Sequence, residues 1–170
     1  MKLSFDYKFD RRTILLTTLI LILCVAGTVL LYALYTGGFF SAWFLSFVLA
    51  LIALMMLSIP RRIVLLDNKL EIQCIFDITE IDIHEIARIR KVQPRKLRRS
   101  ILLFGSAGFF GYYGKYFDLR EFETITIYAS EWNNFVEIID IYDSRIYVSC
   151  RDADTLIASV REARDGVQNS

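Results

Sequence analysis

Residues 14–59 contain no charged side chain and no histidine, and this apolar region divides the chain into two unlike parts. Two stretches within it, residues 14–35 and 39–59, each reach the roughly 20 apolar residues that an α-helix needs to cross a bilayer. Only Thr36, Gly37 and Gly38 separate the two stretches. The pattern therefore predicts a transmembrane helical hairpin over residues 13–60, with a very short turn.

A cleaved signal peptide is the alternative interpretation of the first stretch. Its apolar core is longer than the roughly 7–15 residues of a signal sequence, and a second apolar stretch follows at once. Aromatic rings of the type found at membrane–water interfaces also gather around the turn. They are Tyr32, Tyr35, Phe39, Phe40 and Trp43. These features favour a hairpin that stays in the mature protein.

Basic residues lie at the outer ends of the two predicted spans, and the turn has none. They are Lys2, Lys8, Arg11 and Arg12 before the first span, and Arg61 and Arg62 after the second. Basic residues next to spans stay on the cytoplasmic side. We therefore expect an integral protein of the bacterial cytoplasmic (inner) membrane with both termini in the cytoplasm, the N-terminal one formed by residues 1–12.

The second half of the chain has a different periodicity, with apolar residues at alternate positions and turn residues between the runs. This pattern is typical of short antiparallel strands. The runs cover residues 63–76, 81–92, 124–130, 135–142 and 145–150. They predict one domain of about six or seven strands over residues 61–165, followed by a tail over residues 166–170.

A single helix is predicted at the end of that domain. Asp152 is suited to its N-cap, and Gly166 is suited to the position just after its last turn. An apolar stripe with helical spacing runs between these two positions. It consists of Leu156, Ile157, Val160 and Ala163.

The order of these segments resembles that of the bacterial pleckstrin-homology-like (PH-like) domain family, whose members are often joined to transmembrane helices. The resemblance rests on the glycine- and aromatic-rich segment "GSAGFFGYYG" near the middle, and on Ser149 and Asp152 at the start of the last helix. Cys150 stands where proline is common in the family. The resemblance implies an α+β fold class, in which a PH-like small β-barrel or sandwich with one C-terminal helix follows the transmembrane hairpin.

Charge is distributed unevenly in the soluble half, although the formal net charge of the chain is only +1. No acidic residue lies between Glu85 and Asp118, and the basic residues of this interval include Arg95, Lys96, Arg98 and Arg99. A basic cluster beside a membrane attracts anionic lipid, at about 1 kcal/mol per residue near the surface. The alternative is a solvated basic face without a partner.

Glycine recurs at every third position from Gly105 to Gly114. Four glycines without proline cannot sustain a collagen helix, and the segment lacks the Gly-Lys-Ser/Thr and following helix of a phosphate-binding loop. Two interpretations remain open: an irregular segment packed over the barrel, or an interface. In the second, the segment Arg95 to Phe117 lies near the membrane, and the candidate contact residues are the four basic residues with Phe109, Phe110, Tyr112 and Tyr113.

Small residues recur every four positions on the second predicted span, at Ala42, Ser46 and Ala50. Such a stripe allows another helix to approach closely. Packing against the first span is the favoured interpretation, and contact with a second copy of the chain is the alternative.

Chemistry-bearing residues are sparse. Cys74, His84 and Cys150 do not have the spacing of a metal site, and no catalytic motif is present. The acidic residues, including Glu121 and Glu123, are interpreted as solvated. We therefore expect a non-enzymatic module without metal, cofactor or nucleic acid, which contacts anionic lipid, itself or another membrane protein. A channel or transporter subunit is the alternative, and an enzyme of unknown class is the weaker one.

Overall fold

The structure is a computed structural model that describes residues 3–7, 10–34, 39–57, 59–66, 68–75 and 78–168 of the 170-residue chain. The helices are α1 (Arg11–Leu34), α2 (Phe39–Leu57) and α3 (Ala153–Gln168), with short 3-10 turns at Ile83–Glu85 and Leu97–Arg99. The strands are β1 (Leu3–Asp6), β2 (Pro60–Leu65), β3 (Lys69–Cys74), β4 (Ile78–Asp82), β5 (Ile86–Val92), β6 (Ser100–Ala107), β7 (Tyr112–Asp118), β8 (Glu123–Ala129), β9 (Phe135–Asp140) and β10 (Arg145–Ser149).

The strands form two sheets. The first has the order β1-β2-β3-β4 and is antiparallel throughout, and the second has the order β5-β9-β10-β8-β7-β6. One pair departs from the antiparallel prediction, because β8 and β10 are parallel neighbours. This pairing arises because β9 lies on the far side of β10, where it pairs antiparallel with both β10 and β5.

The core lies between the two sheets and beneath α3. Ile63 and Ile72 from the first sheet meet Ile138 from the second, and Leu156 and Val160 of α3 close the cluster. Fully burying an aliphatic side chain contributes roughly 1.5–3 kcal/mol, so this cluster is a major source of stability. The predicted α+β architecture of a small β domain with a C-terminal helix is thus present.

The bounds of α3 confirm one predicted end and correct the other. The carbonyl of Asp152 accepts the first helical hydrogen bond, from the N–H of Leu156 at 3.0 Å, as an N-cap residue does. Gly166 was predicted to follow the helix, but α3 continues to Gln168. A glycine inside a helix costs only about 1 kcal/mol, which is too little to end it.

The N-terminal residues belong to the β domain, which the sequence analysis missed; the available signal was the alternation of Leu3, Phe5 and Tyr7 with polar residues. Strand β1 pairs with β2 along its whole length, from Leu3 opposite Leu65 to Asp6 opposite Arg62. Phe5 points into the core from this strand. The domain therefore includes residues on both sides of the apolar region, rather than beginning at residue 61.

Helices α1 and α2 account for the apolar region. In the described part of the chain, α1 is the one helix long and apolar enough to cross a membrane, and it lies near the N-terminus. The stretch predicted as a second span is helical over Phe39–Leu57. The predicted turn at residues 36–38 lies outside the described residues.

The small-residue stripe is not covered by α1 in this structure. Ala42, Ser46 and Ala50 are all exposed, and the hydroxyl of Ser46 donates a hydrogen bond to the carbonyl of Ala42 within the same helix. Packing of the stripe against the first span, or against a second copy of the chain, therefore stays a prediction. The buried side chains of α1 are those of Thr13 and Thr17, near its start.

Candidate membrane-facing interface

The start of α1 is attached to the soluble domain through Asp10. The Asp10 carboxylate accepts a hydrogen bond from the N–H of Thr13 at 2.9 Å, which caps the helix. Its other oxygen accepts a longer bond, 3.5 Å, from the N–H of Trp132 in the loop between β8 and β9. One side chain thus joins the helix start to the domain.

Two threonines, one helical turn apart, extend this contact. The hydroxyl of Thr13 donates to the carbonyl of Ser130 at 3.3 Å, and the hydroxyl of Thr17 accepts from the N–H of Phe110 at 2.9 Å. Both threonines are buried although they lie in a helix whose other side chains are mostly exposed. Residues at i and i+4 share one helix face, so the first turns of α1 present a polar face to the domain.

The glycine-rich segment that receives this face is an ordered β-hairpin, so the predicted irregular segment is wrong. Gly105 in β6 lies directly opposite Gly114 in β7, and both have positive φ, 128° and 113°. A Cβ on Gly105 would lie 2.0 Å from the carbonyl oxygen of Tyr113, and one on Gly114 would lie 2.1 Å from that of Phe104. The backbones of the two strands are too close at these positions to leave room for a side chain.

The tip of the hairpin contacts the first turns of α1. Gly108 donates its N–H to the carbonyl of Gly111 at 2.9 Å, which closes the turn. A Cβ on Gly108 would lie 2.7 Å from Cδ1 of Leu16, the residue that precedes Thr17 in α1. The glycine at the tip therefore allows the helix to approach the hairpin backbone.

The four aromatic candidates of this segment differ in exposure. Phe109 is only 5% exposed and Tyr113 is also buried, so both are core residues and offer no surface to a ligand. Phe110 and Tyr112 are half-buried. The ring of Tyr112 packs on that of Trp132, with 4.6 Å between centroids.

The four basic candidates also differ in exposure. Arg95, Arg98 and Arg99 are exposed, whereas Lys96 is half-buried. Lys96 Nζ lies 2.7 Å from Oε1 of Glu137 and 3.4 Å from Oε1 of Glu121. Lys96 is therefore committed to an ion-pair network within the domain, and three arginines remain as exposed cations.

Glu137 is the centre of that network, and sequence analysis missed it. Its side chain is 0% exposed, and it accepts hydrogen bonds from Arg90, from Lys96 and from the hydroxyl of Tyr147, the last at 2.6 Å. Burial acts to raise the pKa of Glu137, but the three hydrogen bonds outweigh it and lower the pKa to about 2. The available signal was a glutamate within the apolar run "FVEII" of β9.

Glu121 and Glu123 are paired rather than simply solvated, which corrects the earlier interpretation. Both carboxylates lie against the guanidinium of Arg145, which contacts Glu121 directly and reaches Oε2 of Glu123 at 3.3 Å. Arg145 comes from β10, so the contact joins that strand to the turn before β8. Lys96 contacts both Glu121 and Glu137, so these acids belong to the same ion-pair network.

A cleft lies beside the start of α1, and we name it the basic–aromatic cleft. Its volume is about 270 Å³. It is lined by Arg12, Leu97, Arg98, Ser100, Leu102, Ala107, Tyr112, Tyr116 and Trp132. The Oγ atom of Ser100 is buried and has no hydrogen-bond partner among the described residues.

Strand β6 forms the outer edge of the larger sheet and carries exposed apolar side chains. Ile101, Leu103 and Phe104 are all exposed, and the pairing with β7 shifts register between Leu102 and Phe104. Large exposed apolar side chains beside basic ones suit contact with a membrane surface or a protein. The edge follows directly after Arg98 and Arg99 in the chain.

The residues considered for a metal site do not come together. His84 is exposed in a 3-10 turn, and Cys74 and Cys150 are buried. Across the described ranges, no group of three His, Cys, Asp or Glu side chains could hold a metal ion. Burial raises the pKa of Cys150 to about 12, so its thiol is protonated.

Comparison with known proteins gives one match. The family described as Bacterial PH domain matches residues 61–163, from β2 to the middle of α3. No curated protein and no solved structure gives a match.

Proposed function

The chain belongs to the bacterial PH domain family, and on that premise we propose that it is a non-enzymatic binding module held at the cytoplasmic face of the bacterial inner membrane by a two-helix hairpin. In this role the domain contacts anionic lipid, another membrane protein or a second copy of the chain. One observation carries the proposal, namely the pairing of β1 with β2.

This pairing constrains the path of the apolar region. Asp6, at the end of β1, lies opposite Arg62 in β2. The chain therefore leaves the sheet after Asp6, runs through α1 and α2, and re-enters the sheet beside Asp6. A membrane crossed by α1 must therefore be crossed again before β2 begins. Helix α2 has 19 residues and a length of about 28 Å, close to the roughly 30 Å of bilayer hydrocarbon.

The charges at the outer helix ends favour a cytoplasmic domain. Arg11 and Arg12 precede the body of α1, Arg61 and Arg62 follow α2, and all four are exposed. Basic residues this close to a span are retained in the cytoplasm.

The electrostatics of the domain favour binding over catalysis. Glu137 is its most deeply buried carboxylate among the described residues, and its pKa of about 2 keeps it ionised at neutral pH. A general acid or base works best with a pKa near the operating pH. Glu137 therefore stabilises the fold as an ion-pair partner, and the exposed arginines and apolar edge are left for contacts.

A subunit of a larger membrane assembly, such as a channel or transporter, is the second candidate. It is favoured by the stripe Ala42, Ser46 and Ala50, which α1 leaves exposed on α2. Small residues at a helix surface allow a partner helix to approach closely. Both candidates share the same topology.

Cysteine labelling in spheroplasts tests that topology. Single cysteines would replace Ser4 in β1, Ser144 before β10, and Thr36 between the helices, in a chain whose three native cysteines are changed to alanine. We expect a membrane-impermeant thiol reagent to label the Thr36 variant in intact spheroplasts, and the Ser4 and Ser144 variants only after lysis. Labelling of the Ser144 variant before lysis would reverse the orientation, and opposite results for Ser4 and Ser144 would contradict the hairpin.

A further inference from the structure

We infer that the basic–aromatic cleft binds the phosphate of an anionic phospholipid headgroup, with Arg12 and Arg98 as its cationic ligands. This inference rests on the proposed function and deepens it, because it assigns a ligand class and a site to the membrane-held domain.

The position of Arg12 places the cleft at the level of the headgroups. Arg12 lies in the first turn of α1, where the apolar part of the helix begins. Thr17 still bonds to the domain, so the helix enters hydrocarbon after it, and Arg12 lies five residues or about 7.5 Å above that point, within the headgroup layer. Arg98 reaches the same cleft from the 3-10 turn before β6.

The charge of the cleft is not compensated by the domain. Arg12 and Arg98 form no ion pair with any residue in the described ranges, whereas Lys96 and Arg145 are paired with glutamates. No acidic residue lines the cleft. Asp10 bonds to Trp132 of the cleft wall, but its two oxygens already accept backbone N–H groups.

The lining offers further contacts for a phosphate ester. The hydroxyl of Ser100 is buried without a partner, and a phosphate oxygen would satisfy it. The rings of Tyr112 and Trp132, which contact each other at an angle of 58°, form a wall, and Leu97 and Leu102 add apolar surface for the glycerol carbons.

The size of the cleft suits a headgroup and not a complete ligand. Its volume of about 270 Å³ is below the roughly 300–1,000 Å³ of pockets that enclose a drug-sized molecule. Acyl chains must therefore remain outside it, in the bilayer beside α1. A soluble phosphate ester has the same anionic chemistry, but Arg12 at the bilayer surface favours the lipid.

A fluorescence titration tests the site. The chain has two tryptophans, so the full-length Trp43→Phe variant leaves Trp132, in the cleft wall, as the only tryptophan reporter. In neutral detergent micelles, we expect phosphatidylglycerol to change Trp132 fluorescence saturably. We expect zwitterionic phosphatidylcholine to bind about tenfold more weakly, because its trimethylammonium group places a further cation beside Arg12 and Arg98, although its phosphate is the same.

Matched arginine variants locate the binding. Arg12→Gln and Arg98→Gln should each weaken phosphatidylglycerol binding about tenfold, whereas Arg95→Gln and Arg99→Gln, which remove exposed cations outside the cleft, should change it less than about twofold. Arg98 lies outside α1, so its variant reports on the site without disturbing membrane insertion.

Three results would overturn the assignment. The first is the absence of a saturable change, and the second is equal weakening by all four arginine variants, which indicates general surface charge. The third is equal binding of inorganic phosphate or glycerol 3-phosphate, which makes a soluble anion the ligand. Each of these leaves the cysteine-labelling pattern unchanged, so failure of the site is distinguishable from failure of the proposed topology.

Discussion

The side-chain hydroxyl of Thr17 in α1 accepts a hydrogen bond of 2.9 Å from the backbone N–H of Phe110 at the tip of the β6–β7 hairpin. Phe110 has a φ of 54°, an uncommon value for a residue with a side chain, and this conformation is part of the turn that meets the helix. Helix α1 and the β domain are thus joined by a specific contact, in addition to the chain connection.

We predict that Thr17→Val loosens this junction. Valine keeps the shape of threonine but leaves the Phe110 N–H without its acceptor, which costs about 1–3 kcal/mol when the group is buried. The free energy of unfolding of the full chain in detergent micelles should fall by that amount, and amide exchange at Phe110 should become faster. Thr18→Val is the matched control, because its hydroxyl is exposed and bonds only to the carbonyl of Ile14 within α1. Equal effects of the two changes would argue against the junction.

We predict that Gly105→Ala and Gly114→Ala are severely destabilising. Each adds a methyl group within about 2 Å of a carbonyl oxygen on the opposite strand, at a φ that side chains rarely adopt. The strands must separate, so we expect a loss of more than about 3 kcal/mol or failure to fold. Thermal unfolding of the purified full chain measures the effect.

The control for these variants is Gly166→Ala, in the last turns of α3. A Cβ there meets nothing within 4 Å, and alanine favours a helix over glycine by up to about 1 kcal/mol. Unchanged or slightly increased stability is expected. A fully stable Gly105→Ala protein would contradict the close pairing of the two strands.

We predict that Glu137 makes the stability of the domain depend on acid pH. Its pKa in the folded protein is about 2, below the ordinary value of 4.5, so the folded state favours the ionised form. The stabilisation is therefore complete above about pH 4.5 and is lost as the pH falls toward 2. Its size is on the order of 3 kcal/mol.

Comparison with Glu137→Gln isolates this contribution. The variant should be less stable at pH 7, since Arg90 and Lys96 lose their shared partner, and the difference from wild type should shrink between pH 4.5 and 2. Glu80→Gln, which removes an exposed pair with Lys69, is the control and should show little change. A difference that stays constant with pH would exclude Glu137 as the titrating group.

We predict that the soluble domain folds without the apolar region only when β1 is retained. A protein in which a short Gly/Ser linker joins residues 3–7 to residues 59–168 keeps the β1–β2 pair, because Asp6 lies beside Arg62. A fragment of residues 61–168 lacks β1 and exposes the edge of β2. We expect the linked protein to unfold at a higher temperature and to remain monomeric, while the fragment aggregates through its open edge. Equal behaviour in light scattering and thermal unfolding would show that β1 is dispensable.

The elements predictable from sequence are those that depend on neighbouring residues. The apolar character of α1, the alternation in β3 and β8, and the helical stripe from Leu156 to Ala163 each follow from a periodicity within one segment. The glycine spacing likewise indicated positive φ values and close backbone approach. All four glycines from Gly105 to Gly114 have positive φ, and all but Gly108 lie close to another stretch of backbone. That inference needs no partner, because only glycine adopts this conformation without strain.

The predicted interface stays a prediction. Of its candidate residues, Arg98 and Tyr112 line the cleft beside the start of α1. The commitment of Lys96 to Glu137, and the burial of Phe109 and Tyr113, did not follow from the sequence. Exposure depends on what packs over a residue, and a short segment carries no record of that.

What only the tertiary structure decided is how distant segments meet. Strand β1 has four residues and pairs with a strand that follows two helices. The alternation of Leu3, Phe5 and Tyr7 with polar residues is typical of a strand, but nothing in that segment indicates β2 as its partner. Glu137 is stable in the core only because Arg90, Lys96 and Tyr147 converge on it from other elements, and Thr17 is buried only because the Gly108 turn meets α1. Local periodicity determined the elements of this protein, whereas contacts between residues far apart in the chain determined which strand completes the sheet, which carboxylate is buried and where α1 meets the domain.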